Sequence, residues 1–273
     1  MFRLSREVRF AVNVVAEGAP ANDRPPANAY AGHPPIDGLA HYFALGVTVA
    51  GDLDRTSQYL LNIKDIDREV RARAIPLVGD IVRARPGSFG SNVLVELFDR
   101  LKNAWSPAAR LERLSLALSP FLSLSAHAEE LPMTRLSQKF EFAASHRLHN
   151  AALADDVNRR TFGKCNNPHG HGHNYELQVT LVGTPAADTG LLVDVPAFER
   201  IVAQTVIDRF DHKNLNVELP EFRDLIPSVE NIARVIYGLL KPGLASGHAR
   251  LASVTLWETP KTWCEYSEDG IDG

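Results

Sequence analysis

One cysteine and three histidines crowd the run Cys165-Asn166-Asn167-Pro168-His169-Gly170-His171-Gly172-His173. It continues through Asn174 and Tyr175 into Glu176–Val182, where polar and apolar residues alternate as on a half-buried strand. His171 and His173 are two apart, so a strand puts both on one face. With only Gly172 between them, the two imidazoles can close on one metal ion. Upstream, Phe140–Leu148 alternates in the same way and ends near His146. Three neutral imidazoles without a fourth protein ligand describe a catalytic zinc site with an open position. Cys165 then lies near the site without having to be a ligand; as a fourth ligand it would make the site structural. His169, in the proline-glycine loop before the strand, is the alternative to His171.

The whole chain bounds what such a site serves. Its 273 residues suit one large or two ordinary domains. With 45% hydrophobic and 23% charged residues the composition is globular. A net charge of -4 gives no basic surface for nucleic acid. No apolar run approaches the roughly 18–20 residues of a membrane span. Met1 to Gly18 is broken by Arg3, Arg6, Glu7 and Arg9, which makes a poor export signal. The expected location is cytoplasmic, with Cys165 and Cys264 reduced. Cys264 reads as structural.

The elements that must position the histidines occur twice. Gly38–Val49 resembles Gly170–Leu181 at an offset of 132 residues. The same offset puts Gly51 on Gly183 and Asn62 on Asp194. Asn92 opens an apolar-periodic run as Asn231 does, and Leu114–Pro120 resembles Val254–Pro260. Two copies of one fold are expected, residues 1–128 and 132–273, joined by a small, charged, proline-containing linker within Ala126–Thr134. The first copy has Leu39 in place of His171 and no cysteine in the loop Asn28 to Pro35. Its strand Val8–Val14 has no histidine, and Leu118 answers Glu258. One metal site per chain is expected, in the second copy.

In that copy the order reads strand, loop, strand, helix, helix, strand, strand. The first strands are about 137–148 and 172–184, and the loop between them carries Asp155, Asp156, Arg159, Arg160 and Cys165. A helix follows Asp194 as cap, with Pro196 in its first turn and Phe198, Ile201, Val202, Val206 and Phe210 on its apolar face. A second starts near Ser228, buries Ile232, Val235, Ile236, Leu239 and Leu240, and stops at Lys241-Pro242-Gly243. Leu251–Trp257 and Trp263–Tyr266 read as the last strands. The class is α+β. Without further context, Asp211-His212 reads as a helix C-terminal pair or a proton-transfer pair, and Glu258 as the partner of a buried basic group or as a ligand-binding carboxylate.

Phe142–Leu148, the Cys-x5-His-Gly-His-Asn-Tyr run, Asp211–Asn216 and Glu258-Thr259 together resemble the 6-pyruvoyl-tetrahydropterin synthase and 6-carboxytetrahydropterin synthase family over about 135 to 268. The resemblance implies a tunnelling fold, a four-stranded antiparallel sheet with two helices on one face, which associates into barrels. It implies zinc on His146, His171 and His173, with Cys165 as base and Asp211 with His212 as its partner dyad. Glu258 would anchor a pterin ring, helped by Thr259. Glu230 falls in a further pterin-side motif, where Ser228-Val229-Glu230 departs from the usual Thr-Thr-Glu or Thr-Ser-Glu. The implied substrate is 7,8-dihydroneopterin triphosphate, whose triphosphate Arg159, Arg160 and Lys164 would meet. The expected product is 6-carboxytetrahydropterin, on the 7-deazapurine route toward queuosine, which the alanine- and arginine-rich composition favours. The alternative is the 6-pyruvoyl product, on the biopterin route, whose type the Cys-x5-His-Gly-His spacing resembles more. A pterin-binding or assembly module without catalysis is the alternative from another class. With two fused copies the expected homo-oligomer is a trimer of two-domain chains.

Overall fold

A computed structural model of the chain describes residues 1–13, 40–84, 90–245 and 247–270. They form two compact units, Met1–Leu136 with Gly183–Leu192, and Ser137–Val182 with Val193–Gly273. Val14, Gly38, Leu39 and the loop Asn28 to Pro35 lie outside the described residues.

In the first unit β1 (Phe2–Val12) pairs antiparallel with β2 (His41–Gly51), in register from Phe2 on Gly51 to Val12 on His41. Alternation buries Val8, Phe10 and Val12. The chain then forms α1 (Ile63–Glu69), a π turn (Val70–Ala74), α2 (Ile75–Ala84) and α3 (Val93–Leu101). The Asn62 side chain caps α1 by accepting from the Lys64 N–H. β3 (Ala109–Ala117) pairs antiparallel with β2, and β4 (Leu122–His127) with β3. Leu45, Val47, Ile66, Leu94, Leu97 and Leu114 are fully buried between sheet and helices. Ala126 and His127, expected in a linker, are the end of β4, and Ala126 is completely buried.

The second unit takes the next strand, β5 (Thr134–His146), from Ser137 onward. Then come α4 (Asp155–Phe162), a 3-10 turn (Gly163–Asn166) and β6 (His171–Gly183). Ser137 meets Thr180 at 3.0 Å and Lys139 meets Glu176 at 2.8 Å, so β5 and β6 run antiparallel. α5 (Val195–Val202), a π turn (Ala203–Ile207) and α6 (Asp208–Phe210) follow, with Asp194 capping through the Ala197 N–H at 2.7 Å. After β7 (Lys213–Asn214) and α7 (Leu215–Glu218), α8 (Val229–Leu240) starts from the Ser228 cap. β8 (Ala249–Thr259) and β9 (Thr262–Tyr266) end the unit, with strand order β5-β6-β8-β9.

Each unit therefore runs strand, strand, helix with a π turn, helix, strand, strand. The second adds α4 and α7, and its sheet gains a fifth short strand, since β7 pairs in parallel with β5. Residues 149–164 were expected as loop; α4 forms there, with Asp155 and Asp156 at its positive end and Arg159 and Arg160 in its last turn. On the first helix Phe198, Val202, Val206 and Phe210 are buried, and Ile201 only half. On α8 the rows Ile232-Ile236-Leu240 and Ala233-Tyr237 face inward, which leaves Val235 and Leu239 at the margin instead of in the core. Phe140 packs edge-on to Phe198, Phe142 edge-on to Phe210, and Phe142 stacks on Tyr175 at 5.0 Å. His146 shares the Phe140–Phe142 face of β5, and His171 and His173 share the Tyr175 face of β6. No helix among the described residues is long and apolar enough to cross a membrane.

Candidate metal centre

The donor nitrogens of His146, His171 and His173 all lie within 4.8 Å of one another. His146 ends β5 and is completely buried; His171 and His173 open β6 and are half-buried. Gly170 makes the entry possible. Its φ is +73°, and a Cβ there would lie 3.0 Å from the His146 carbonyl oxygen. Gly172 separates the two strand histidines without a side chain of its own.

Protonation favours ligation. His146 donates Nδ1–H to the Pro227 carbonyl at 2.7 Å, so Nε2 keeps its lone pair. Burial pushes the His146 pKa down to about 4, against a smaller opposite effect of that hydrogen bond. Burial, then His173, lowers His171. His146 and His171 are therefore neutral at pH 7. His146 Nε2 faces His171 Nε2 at 3.0 Å. Glu258 Oε1 stands 3.3 Å from His146 Nε2 and 3.6 Å from His173 Nε2. The buried Nδ1 of His171 and Nε2 of His173 have no hydrogen-bond partner among the described residues. Unpartnered buried ring nitrogens beside a carboxylate oxygen are an arrangement that a cation resolves. An all-imidazole donor set suits a divalent transition metal.

Glu258 reaches this cluster through a break in its strand. Trp257 pairs with Trp263 and Thr259 with Thr262, so Glu258 is the extra residue of a bulge. A bulge re-aims a side chain that regular alternation would send elsewhere. Tyr175 is buried beside the histidines, its ring 5.6 Å from that of His173, and its hydroxyl has no partner among the described residues. Burial first, then Glu258 and Cys165, raise its pKa.

Cys165 lies in the 3-10 turn, half-buried, with its carbonyl accepting from the Leu148 N–H at 2.9 Å. It and Cys264 are both free thiols. Neither Cys165 nor His169 belongs to the converging donor set. Asp211 and His212 form a pair, His212 Nδ1 lying 2.7 Å from Asp211 Oδ2. The other Asp211 oxygen accepts from the Ala143 N–H at 2.8 Å, and these bonds, the backbone one first, hold the carboxyl below its usual range. His212 adopts φ +57°, fixed by its N–H to the Ala143 carbonyl at 2.6 Å. His212 shares with His173 a cleft of about 580 Å³ that Lys213 and Glu218 also line.

Thr259 Oγ1 accepts from the Lys261 N–H in the β8–β9 turn. Glu230 is exposed in the first turn of α8 and interacts with Ser228, which lowers its pKa. Arg160 is paired to Asp156 at 2.7 Å, and none of Arg159, Arg160 and Lys164 lines the clefts beside the histidines. Sequence reasoning missed the Pro227 carbonyl, which has no residue-type signal, and the Glu258 bulge. It also missed Tyr175, whose place two residues beyond His173 on the same strand face was available as a signal.

A histidine triad at the ends of two antiparallel strands, covered by two helices, defines an α+β domain with the donor set of a metal centre. Residues 135–269 match the family model described as 6-pyruvoyl tetrahydropterin synthase. Over 125 residues the chain is 38% identical to the 6-pyruvoyl tetrahydrobiopterin synthase of Homo sapiens, covering 46% of this chain and 85% of the relative. It is 29% identical over 156 residues to the 6-carboxy-5,6,7,8-tetrahydropterin synthase of Haemophilus influenzae, covering 50% of this chain and 100% of the relative. The solved 6-pyruvoyl tetrahydropterin synthase of Caenorhabditis elegans aligns at 34% identity and a TM-score of 0.48, over 50% of this chain and 96% of that one. The chain belongs to the 6-pyruvoyl tetrahydropterin synthase family and is a carbon–oxygen lyase.

Proposed function

We propose that the second unit is a zinc-dependent pterin synthase that eliminates triphosphate from 7,8-dihydroneopterin triphosphate. The observation that carries this reading is the meeting of three imidazoles and the Glu258 carboxylate at one point. His146, His171 and His173 would hold the zinc. When bound, zinc supplies Lewis acidity, which makes protons on carbons beside the substrate's side-chain oxygens easier to remove.

The chain's own residues do the proton work. Cys165, as thiolate, takes a proton from a side-chain carbon as the carbon–oxygen bond to triphosphate breaks. The ionised Asp211 orients His212 through Nδ1 and leaves Nε2 to pass protons as the hydroxyls become carbonyls. Glu258 accepts N–H bonds from the pterin edge, a planar two-point match, with Thr259 and Glu230 at the rim of that subsite. The first unit, with the same element order and no histidine triad among its described residues, is a degenerate copy that serves as scaffold.

Of the two products, 6-pyruvoyl-tetrahydropterin is favoured. Relatives named for it in five animals and a slime mould are 33–40% identical, against 26–29% for two named for the 6-carboxy product. The Cys-x5-His-Gly-His spacing points the same way. The composition that leans to 6-carboxytetrahydropterin belongs to the whole chain and not to the site. Incubation with the substrate, followed by mass identification of the pterin and assay of released triphosphate, tests both steps. Stoichiometric zinc without triphosphate release would replace this reading with a pterin-binding module.

A further inference from the structure

We propose that a second cleft, lined by Arg147, His149, His169 and Arg223, is a polyphosphate subsite that holds the triphosphate arm of the substrate; this rests on the function proposed above. The cleft encloses about 550 Å³. It adjoins the metal ligands along the chain, because Arg147 follows His146 and Gly170 precedes His171, and Ile226 precedes Pro227, the hydrogen-bond partner of His146.

Its cationic wall is held in place before any ligand arrives. Asn216 accepts from the Arg147 N–H at 2.7 Å and donates to the Arg147 carbonyl at 3.0 Å. Asn158, completely buried, accepts from the Asn150 N–H at 2.8 Å and donates to the Asn150 carbonyl at 2.9 Å. Asn166, 7% exposed, donates to the Leu148 carbonyl at 2.7 Å and to His149 Nδ1 at 3.1 Å. His149 Nδ1 is therefore an acceptor, and its ring keeps a proton on Nε2 even when neutral. A wall fixed by three amides has little ordering left to pay on binding.

The charges are unspent. Arg147 commits only Nε, to the Asn166 carbonyl at 3.1 Å. Its terminal amino groups and the exposed Arg223 guanidinium have no partner among the described residues. Asp224 is the single carboxylate among the described lining residues, against two guanidiniums. Planar guanidinium forks and fixed N–H donors are the groups that bind phosphate oxygens.

The test uses the metal-loaded full chain with Arg223→Glu and with Arg147→Lys, which keeps the charge and loses the fork. Inorganic tripolyphosphate is titrated calorimetrically, and KM and kcat are measured on dihydroneopterin triphosphate. Tripolyphosphate should bind the wild type and compete with substrate. Arg223→Glu should weaken it by roughly tenfold or more and raise KM alike, with metal content unchanged. Absent tripolyphosphate binding, or wild-type affinity in both variants, overturns the subsite. Binding through Arg223 without any turnover would sink the proposed function and leave the subsite standing. Turnover with an unchanged KM in Arg223→Glu would do the reverse.

Discussion

His146 and Pro227 are joined by a 2.7 Å hydrogen bond from imidazole Nδ1 to a backbone carbonyl. The bond ties the end of β5 to the residue just before the Ser228 cap of α8. It selects the tautomer that presents Nε2 to the centre and fixes the ring against rotation. A ligand oriented in this way binds metal with little reorganisation.

Metal content follows from that geometry. One zinc per chain is expected, and replacing His146, His171 or His173 by Ala should remove both metal and activity. Elemental analysis of purified protein decides it. Two ions per chain, or full occupancy in His171→Ala, would contradict the assignment.

Acid should destabilise the metal-free protein through His146. In the folded chain its pKa is depressed from 6.5 to about 4, chiefly by burial. Between those values the unfolded chain binds a proton that the folded chain refuses, so unfolding free energy rises with pH. The contribution is complete above 6.5 and lost progressively as pH falls toward 4. Urea midpoints of chelator-treated protein at pH 7 and pH 5 measure it, with His146→Leu as reference. The wild-type midpoint should fall further than the variant's; equal falls would clear His146 of the effect.

These two expectations rest on residues legible in the sequence, and the reason is periodicity. His171 and His173 share a face because strands repeat every two residues, and His146 ends a run with the same repeat. Four features escaped because they break or lack a repeat. Glu258 is aimed by a bulge, visible only once Trp257 and Thr259 have partners. Pro227 contributes a carbonyl, which every residue carries. α4 buries only Asn158 and so has no apolar stripe. β7 is two residues long and pairs through its backbone alone.

Cys165→Ala should keep metal and fold while losing turnover. Cys165 is outside the converging donor set, so no ligand is removed. Loss of a general base costs ~10²–10⁴-fold in rate. Metal content and kcat measured on the same preparation separate the outcomes. Loss of zinc would make the cysteine a ligand and the site a structural one.

The last expectation concerns assembly. β1 pairs with β2 on one side in its unit, and β9 pairs with β8 on one side in its own. Both end strands expose an aromatic side chain, Phe2 at 53% and Trp263 at 58%. Open strand edges are a liability that closure removes, and a head-to-tail contact of unlike edges generates a ring when its rotation closes. A trimer of two-unit chains is therefore expected, with β9 of one chain meeting β1 of the next. Light scattering should give the mass of three chains, and Trp263→Lys should shift it toward one. Removing residues 1–128 takes away β1, and it also leaves Gly183–Leu192 without most of the unit to which they belong. In the intact chain the Gly190 carbonyl accepts from the Asn92 N–H at 3.2 Å, a bond that truncation abolishes. The truncated chain should bind zinc through its intact triad yet misassemble and lose turnover. A fully active monomer, or a truncated chain with unchanged mass and rate, would show that neither the ring nor the first unit is required.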